Sequence, residues 1–279
     1  MSEKFQKQIK IFFFVLLLGV IFLVAFEISG KEKLSRPQEA EIFFLDVGQG
    51  DAILIQEGRT QILIDGGDGE DILNRLGEVM PFGDRELEIV INTHSDDDHL
   101  GGLIKVMENY EIGGMLHTGI LCNREICKKR DKIIEDKNIK VLIARLGQEI
   151  RVGEDIDLKI VYPFMDLEGK EFKDANDTSV VIRAAIGESS CLLTGDISSD
   201  IEDELISNNL DLDVDVLKVG HHGSKNSTSA GFLQAVSPEK SIISVGENSY
   251  GHPTEEVINR LLNMNIEIFR TDEMGNIVF

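Results

Sequence analysis

An apolar strand end runs directly into two histidines and three aspartates in the segment Val90-Ile91-Asn92-Thr93-His94-Ser95-Asp96-Asp97-Asp98-His99-Leu100-Gly101-Gly102. Adjacent carboxylates repel one another strongly unless a cation lies between them. Imidazole and carboxylate groups are also ligands that Zn²⁺ and Mn²⁺ accept in proteins. The segment therefore predicts a metal site, because the alternative, a solvated acidic turn, does not need a histidine at each end.

The order of histidines and aspartates in this segment resembles a known signature. His94-x-Asp96-x-Asp98-His99 is similar to the His-x-His-x-Asp-His motif of the metallo-β-lactamase fold, in the variant with Asp in place of the second His. That variant resembles the hydrolase domain of ComEC-type competence proteins. The resemblance implies that His94 and Asp96 bind one metal ion and that Asp98 and His99 bind a second. Asp97 matches no ligand position.

Two later segments offer partners for these ligands. The apolar strand at 191–194 runs into Gly-Asp, and the resemblance carries Asp196 onto the aspartate that touches both metals. A helix N-cap is the alternative role for this residue. His221 and His222 are adjacent at another strand end, where buried imidazoles need polar partners for both ring nitrogens. We expect His221 to complete the second metal site and His222 to orient a ligand or donate a proton.

Further candidates surround the expected site. Asp65 ends a strand and matches the family's aspartate that buttresses the metal-binding loop, with a turn cap as the alternative. Asn176 and Asp177 lie in a polar cluster before a β-branched strand, and the resemblance implies that Asp177, or alternatively Asn176, faces the metals. The third-motif histidine of the antibiotic-hydrolysing members has no counterpart between His117, which we interpret as structural, and His221. The first metal therefore has one fewer obvious ligand.

The C-terminal third of the chain adds polar side chains for substrate binding. His252 lies on a loop that the resemblance places beside the site, as a general acid or a substrate contact. A solvated loop histidine is the alternative. Ser224 and Lys225 follow the paired histidines and are expected to hold phosphate oxygens.

Strand and helix patterns fill the rest of the chain. The sequence predicts helices at 71–80, 100–110, 125–137, 201–207 and 254–264, separated by short apolar strands. The opening Leu-Asp-Val-Gly-Gln-Gly-Asp at 45–51 is characteristic of the same family. The resemblance covers residues 41–279 and implies an α/β fold, the four-layer αβ/βα sandwich of the metallo-β-lactamases.

Composition limits the partners of this domain. The chain has 279 residues with 28 Lys and Arg against 50 Asp and Glu, a formal net charge of −22 that repels long polyanions. Any nucleic-acid activity must therefore rest on a local cationic centre such as a bound metal. Of the three cysteines, Cys191 is expected to be buried, whereas Cys122 and Cys127 form a disulfide if the domain lies outside the cell and are free thiols otherwise.

The N-terminal residues have the character of a membrane segment. Three lysines lie within residues 1–10, and residues 11–26 carry no charge. The positive-inside rule then places the N-terminus in the cytoplasm and the main domain outside, anchored in the cell membrane by a single pass. Secretion after signal-peptide cleavage is the alternative. The predicted organisation is a cytoplasmic segment, a transmembrane signal anchor, a linker and a metallo-β-lactamase-like domain, at residues 1–10, 11–28, 29–40 and 41–279.

The ligand set predicts a hydrolase. The resemblance implies two divalent metal ions, Zn²⁺ or alternatively Mn²⁺, which lower the pKa of a shared water and stabilise developing charge. Asp98 or Asp196 would orient this water, and His252 or His222 would protonate the leaving group.

The resembling domain implies a phosphodiesterase or nuclease at the outer face of the membrane, with single-stranded DNA among its substrates and a separate DNA-uptake channel as a partner. One alternative is an envelope phosphodiesterase of the teichoic-acid type. Another is a catalytically silent DNA-binding module that assists uptake, although such a module would not need the six ligand candidates. β-Lactam cleavage ranks lower, because Asp96 is unlike the antibiotic-hydrolysing enzymes.

Overall fold

The computed structural model describes residues 39–279 of the protein. The predicted cytoplasmic segment at 1–10, the signal anchor at 11–28 and most of the linker lie outside these residues. None of the helices between residues 39 and 279 has the length and apolar character that crossing a membrane requires.

The described chain alternates short strands with helices. The strands are β1 Glu41–Phe44, β2 Ile53–Glu57, β3 Thr60–Ile64, β4 Glu86–Leu87, β5 Ile89–Ile91, β6 Glu111–Ile112, β7 Gly114–His117, β8 Lys140–Ile143, β9 Glu149–Val152, β10 Ile156–Tyr162, β11 Val181–Ile186, β12 Ser189–Leu193, β13 Val216–Lys218, β14 Lys240–Ile243, β15 Glu267–Arg270 and β16 Ile277–Val278. The α-helices are α1 Asp71–Val79, α2 Asp97–Asn109, α3 Glu125–Lys137, α4 Ser199–Ser207, α5 Ala230–Val236, α6 Glu255–Asn263 and α7 Thr271–Met274.

Two seven-stranded sheets form the centre of the domain. The first has the order β16-β1-β2-β3-β5-β7-β8 and the second the order β15-β14-β13-β12-β11-β10-β9. Each sheet is antiparallel at one side and parallel at the other, since β3, β5, β7 and β8 run parallel, as do β12 to β15. Strands that are apolar on both faces, such as β3, suit a position between two covering layers.

Three apolar clusters fill the spaces between the layers. The cluster between the sheets joins Ile62 and Ile64 of the first sheet to Ile182 and Leu193 of the second. A second cluster packs α1, α2 and α3 onto the outer face of the first sheet. A third packs α4, α5 and α6 onto the outer face of the second sheet. The four-layer αβ/βα sandwich that the sequence predicts is confirmed.

The helix after the acidic segment begins earlier than the sequence predicts. Apolar spacing places its start at Leu100, whereas α2 begins at Asp97 with Asp96 as the N-cap residue. Carboxylates are favourable in the first turn because the N-terminus of a helix carries partial positive charge. Asp98 and His99 therefore lie on the first turn of a rigid helix. The short helix α5, capped by Ser229, has too few residues for periodicity to predict it.

Close backbone contact holds this first helical turn in place. Gly50 has a φ of +118°, and a Cβ atom there would overlap the carbonyl of Asp98. The neighbouring Asp51 N donates to the same carbonyl at 3.2 Å. The glycine-rich β1–β2 loop thereby fixes the position of Asp98.

The structure contains a disulfide between Cys122 and Cys127. The alternative interpretation, two free thiols, does not apply to this structure. It joins the loop after β7 to the first turn of α3. Cys191 is buried, as the sequence predicts.

We expect loss of this disulfide to lower the free energy of unfolding by about 2 kcal/mol, because the two cysteines are separated by 5 positions and close only a short loop. Urea unfolding of the oxidised and reduced wild type measures the difference. The Cys122→Ala/Cys127→Ala variant is the control and should not respond to reductant. Identical unfolding midpoints for oxidised and reduced protein would contradict a stabilising role.

Candidate metal centre

The first part of the site lies where β3 and β5 end. The carboxylate of Asp65 accepts hydrogen bonds from Thr93 N at 2.8 Å and from Thr93 Oγ1 at 2.5 Å. His99 Nδ1 donates to the same carboxylate at 2.8 Å. Burial raises the pKa of Asp65, but His99 and His94 outweigh burial and leave this pKa below its ordinary value. An ionised Asp65 therefore fixes the orientation of the His99 ring.

Four side chains from both sheets converge on one point. The Nε2 atoms of His99 and His222 lie 3.3 Å apart. Asp196 Oδ2 lies 3.3 Å from the first of these atoms and 3.2 Å from the second. Asp98 Oδ2 lies 3.4 Å from His222 Nε2. We call His99, His222, Asp196 and Asp98 the central cluster.

The donor chemistry of the central cluster fits a divalent cation. His99 Nδ1 donates to a carboxylate, and His222 Nδ1 donates to the carbonyl of Ser244 at 2.8 Å, so each neutral ring presents an Nε2 lone pair to the cluster. With both rings neutral all four groups are acceptors, so a positive charge must balance them, either protons on the imidazoles or a divalent ion. Ligand atoms of a tetrahedral zinc site lie about 3.3 Å apart, given zinc–ligand bonds of about 2.0 to 2.1 Å. The separations in the central cluster match that value.

The electrostatic field at the central cluster also favours a cation. Burial disfavours protonated imidazole, but Asp196 and Asp65 raise the pKa of His99 well above its ordinary value. Burial likewise opposes protonation of His222, yet Asp196 and Asp98 raise its pKa to about 9. The carboxylates thus attract positive charge strongly enough to overcome burial, and a divalent ion satisfies the same field.

A second group of candidate ligands borders the central cluster. Burial, with the neighbouring His99, lowers the pKa of His94 to about 3, so its ring is neutral. His94 Nε2 is buried and has no hydrogen-bond partner among residues 39–279, and neither has Asp196 Oδ1. Asp96 Oδ2 lies 3.9 Å from His94 Nε2, while Asp96 Oδ1 accepts from Arg124 at 2.8 Å. The unpartnered His94 nitrogen beside the Asp96 carboxylate is consistent with a second metal position, whereas Asp196 Oδ1 lies 3.6 Å from the buried Lys218 ammonium.

The paired histidines point in different directions. His221 and His222 both adopt left-handed backbone conformations, with φ of +48° and +53°. His222 is buried in the central cluster, whereas the His221 side chain is 32% exposed and its Nε2 lies 3.9 Å from Asp196 Oδ2. The His221 ring instead packs edge to face against His252, with centroids 5.5 Å apart. This placement differs from the sequence-based expectation, which gave the ligand role to His221.

The part of the chain that contains these site residues matches a known protein family. The model of the metallo-beta-lactamase superfamily matches residues 45–247, which include the acidic segment, Asp196 and both adjacent histidines. The chain belongs to the metallo-β-lactamase superfamily. Its His and Asp clusters fit the divalent metal binding of this metal-dependent hydrolase fold.

Individual relatives of this metallo-β-lactamase superfamily member carry competence names. ComE operon protein 3 of Bacillus subtilis is 30% identical over 86% of this chain and 33% of its own length. Competence protein ComA of Neisseria gonorrhoeae is 31% identical over 93% of this chain and 35% of its own length. The chain thus spans about a third of the length of these relatives. The resemblance to competence proteins that the motifs indicate is confirmed.

A solved structure supports the metallo-β-lactamase fold. The metallo-beta-lactamase fold protein YhfI from Bacillus subtilis superposes with a TM-score of 0.57 and covers 86% of this chain and 99% of its own. The two sequences are 12% identical, so this likeness concerns the fold alone.

The central cluster of this metallo-β-lactamase domain opens to the surface. A cavity of about 180 Å³ is lined by Asp98, His222, His221, His252 and Tyr250 together with Gln49, Asp96 and Asp196. The structure therefore places His252 beside the central cluster, in the lining of this cavity.

Three other predicted residues lie away from this cavity. Asp177 Oδ1 accepts a hydrogen bond from Ser198 Oγ at 2.6 Å. Ser224 is buried in the turn after His222, and its Oγ accepts from Asn226 N at 3.4 Å. Lys225 has an exposed side chain on the same turn. None of Asp177, Ser224 and Lys225 lines the cavity that opens onto the central cluster.

A buried lysine beside the cluster was missed by sequence reasoning. Lys218 Nζ lies 2.6 Å from Asp51 Oδ2 and 3.6 Å from Asp196 Oδ1, and it donates to the Gly195 carbonyl at 3.2 Å. Burial favours the neutral amine, but Asp51 and Asp196 raise the pKa of Lys218 above its ordinary value. A single charged residue within the apolar strand β13 could have indicated this ion pair from the sequence, because a charged side chain in a buried strand needs a buried partner.

We expect Asp65→Asn to weaken zinc affinity by about 10-fold to 100-fold, because the amide no longer holds His99 with a negative charge. Competition with a chromophoric chelator measures the affinity, and circular dichroism checks the fold. Asp46→Asn is the matched control, since Asp46 also follows a strand but pairs with Arg75 at 3.0 Å, away from the central cluster. Equal zinc affinity in Asp65→Asn and wild type would exclude the orienting role.

Proposed function

We propose that the protein is a metal-dependent phosphodiesterase or nuclease. The observation that carries this proposal is the central cluster, in which two imidazole lone pairs and two carboxylates converge at 3.2 to 3.4 Å beside an open cavity. The competence names of the relatives support a nucleic-acid substrate.

The contacts support a proposal of two metal positions. The central cluster would hold one divalent ion, with His222 in place of His221, and His94 and Asp96 would supply ligands for a second. Zn²⁺ suits this nitrogen and oxygen donor set, and Mn²⁺ is the alternative. Divalent cations held there supply the Lewis acidity that makes water nucleophilic at neutral pH.

The protein's own groups would orient the reactants. Burial raises the pKa of Asp98, but its hydrogen bond with His222 and the nearby His99 outweigh burial and hold this pKa below its ordinary value. Asp98 therefore stays ionised and can accept a hydrogen bond from water in the cavity. Burial and the neighbouring His221 lower the pKa of His252, so its ring is neutral at neutral pH. His252 is thus suited to donate a hydrogen bond to a substrate oxygen rather than to transfer a proton.

We propose further that the domain acts at the outer face of the membrane, tethered through residues 11–28. The disulfide between Cys122 and Cys127 supports this location, because disulfides persist in oxidising compartments. The competence names support a separate DNA-uptake channel as its partner.

The second candidate function is hydrolysis of envelope phosphodiesters. The net charge of −22 favours it, because a negative field repels long DNA more strongly than a short or tethered substrate.

Metal analysis and substrate assays on the full chain test the proposal. We expect the full chain to bind about two metal ions, one at each proposed position. We also expect it to hydrolyse bis-p-nitrophenyl phosphate and single-stranded DNA. His222→Ala should lose metal and activity, and His221→Ala is the matched control that should keep its metal. Retention of DNA without turnover would support the binding module, and exclusive cleavage of glycerol-phosphate polymer would support the envelope substrate.

A further inference from the structure

One exposed aromatic side chain stands beside the catalytic cavity. Tyr250 lies in the loop between β14 and α6, and 73% of its surface is exposed. It lines the 180 Å³ cavity that opens onto the central cluster and an adjoining cavity of about 610 Å³. An exposed aromatic residue is ordinary on a protein surface, but this one borders the place where the scissile bond must lie.

The loop holds the Tyr250 ring in a defined orientation. Asn248 Oδ1 accepts from Tyr250 N and from His252 N, each at 3.1 Å. Asn248 Nδ2 donates to the carbonyls of Gly246 at 2.9 Å and His252 at 2.8 Å. The Tyr250 and His252 rings are stacked, with centroids 5.8 Å apart and planes inclined by 29°. The Tyr250 ring therefore lies over His252, and most of the Tyr250 side chain remains exposed to a ligand.

The charges around the larger cavity limit what can bind there. Asp68, Asp97 and Glu247 line it together with Asp96 and Asp98. Within the described part of the chain, Arg124 is its one cationic lining residue, and this guanidinium pairs with Asp96 at 2.8 Å and Asp97 at 2.7 Å. Additional phosphates would be repelled here. A flat neutral group would not, because stacking on an aromatic ring needs no charge.

We propose that Tyr250 is a stacking platform for the nucleobase of the nucleotide whose phosphate is cleaved. The substrate class is then an unpaired nucleotide in a phosphodiester, and base-free phosphodiesters of envelope polymers are poor substrates. This inference rests on the proposed phosphodiesterase function. A cavity of about 610 Å³ is within the range of about 300 to 1,000 Å³ that small-molecule sites occupy. Stacking would also let a strongly acidic protein bind a nucleotide in a cavity whose lining is mostly acidic.

Two chromogenic substrates test the platform. Thymidine 5′-(p-nitrophenyl phosphate) and methyl p-nitrophenyl phosphate both release p-nitrophenolate, but only the first carries a base. We expect wild type to prefer the thymidine substrate, and Tyr250→Leu to lower the ratio of the two kcat/KM values about 5-fold to 150-fold, the effect of one stacked base. Tyr250→Phe should retain most of the preference. Phe82→Leu is the matched control, because Phe82 is a fully exposed aromatic residue in the turn after α1, away from both cavities.

A binding measurement separates this inference from the proposed function. Fluorescence anisotropy of a labelled methylphosphonate-linked oligothymidylate is recorded with the metal-loaded full chain. Its uncharged linkages are neither repelled by the acidic lining of the cavity nor hydrolysed as phosphodiesters. We expect Tyr250→Leu to weaken binding about 5-fold to 150-fold relative to wild type and to Phe82→Leu. Turnover of both substrates with an unchanged ratio in Tyr250→Leu would overturn the platform and leave the phosphodiesterase intact. If wild type cleaves neither substrate, the proposed function fails. Equal oligothymidylate binding by Tyr250→Leu and wild type would overturn the platform independently of any turnover.

Discussion

Asp196→Asn is expected to lose bound metal and to lower kcat/KM on bis-p-nitrophenyl phosphate by on the order of 1000-fold, since metal assistance contributes several kcal/mol. Asp196 is buried, and its Oδ2 lies 3.3 Å from His99 Nε2 and 3.2 Å from His222 Nε2. The substitution removes a negative charge from the centre of the cluster. In one of its two orientations, the new amide group also points its N–H donors at the Nε2 lone pairs of His99 and His222, which a cation would otherwise bind.

Asp136→Asn is the matched control for this substitution. Asp136 is an exposed aspartate on α3 that pairs with Lys132 at 2.8 Å and lines neither cavity. Its substitution should change kcat/KM by less than about twofold, as is usual for a surface residue without a special role. Metal content by mass spectrometry and fold by circular dichroism accompany the kinetics. A folded Asp196→Asn protein with full metal content and activity would refute the assigned metal centre.

Lys218→Met is expected to lower the free energy of unfolding by about 3 to 5 kcal/mol, because it leaves the buried carboxylates of Asp51 and Asp196 without their cation. Lys218 is fully buried, and its distance to Asp51 Oδ2 is 2.6 Å. Urea unfolding in EDTA measures the effect without a contribution from bound metal.

A double variant distinguishes lost pairing from lost packing. Asp51→Asn in the Lys218→Met background removes one of the unpaired charges, so the combined loss should be smaller than the sum of the two single losses. Lys159→Met is the control, because Lys159 is exposed on β10 and its loss should cost less than about 0.5 kcal/mol. A Lys218→Met effect as small as that of Lys159→Met would show that the buried pair does not stabilise the domain.

The sequence predicts the layers of this domain better than its polar interior. Apolar periodicity locates most strands and helices, because burial of one face imposes the pattern over several residues. The acidic segment likewise locates the centre of the site. The first turn of α2 was predicted as loop, since Asp97, Asp98 and His99 interrupt the apolar pattern while favouring a helix N-terminus.

The remaining differences between the predicted site and the observed site come from the conformation or the contacts of single residues. Sequence spacing cannot distinguish His221 from His222, because only the left-handed backbone at both residues determines which ring enters the cluster. Lys218 escaped prediction because its partner, Asp51, is distant in the sequence and approaches only when the two sheets pack. Ser179, whose Oγ lies 3.3 Å from His94 Nδ1, escaped for the same reason.

The central cluster takes His99 and Asp98 from the first sheet and Asp196 and His222 from the second. A cation held by all four side chains would act as a cross-link between the two halves of the sandwich, and its binding energy would add to the work of pulling them apart. Chelation should then lower the free energy of unfolding of the whole sandwich, whose two sheets also share the apolar cluster between them. Scarcity of the bound divalent ion would then shorten the lifetime of the folded protein against proteases.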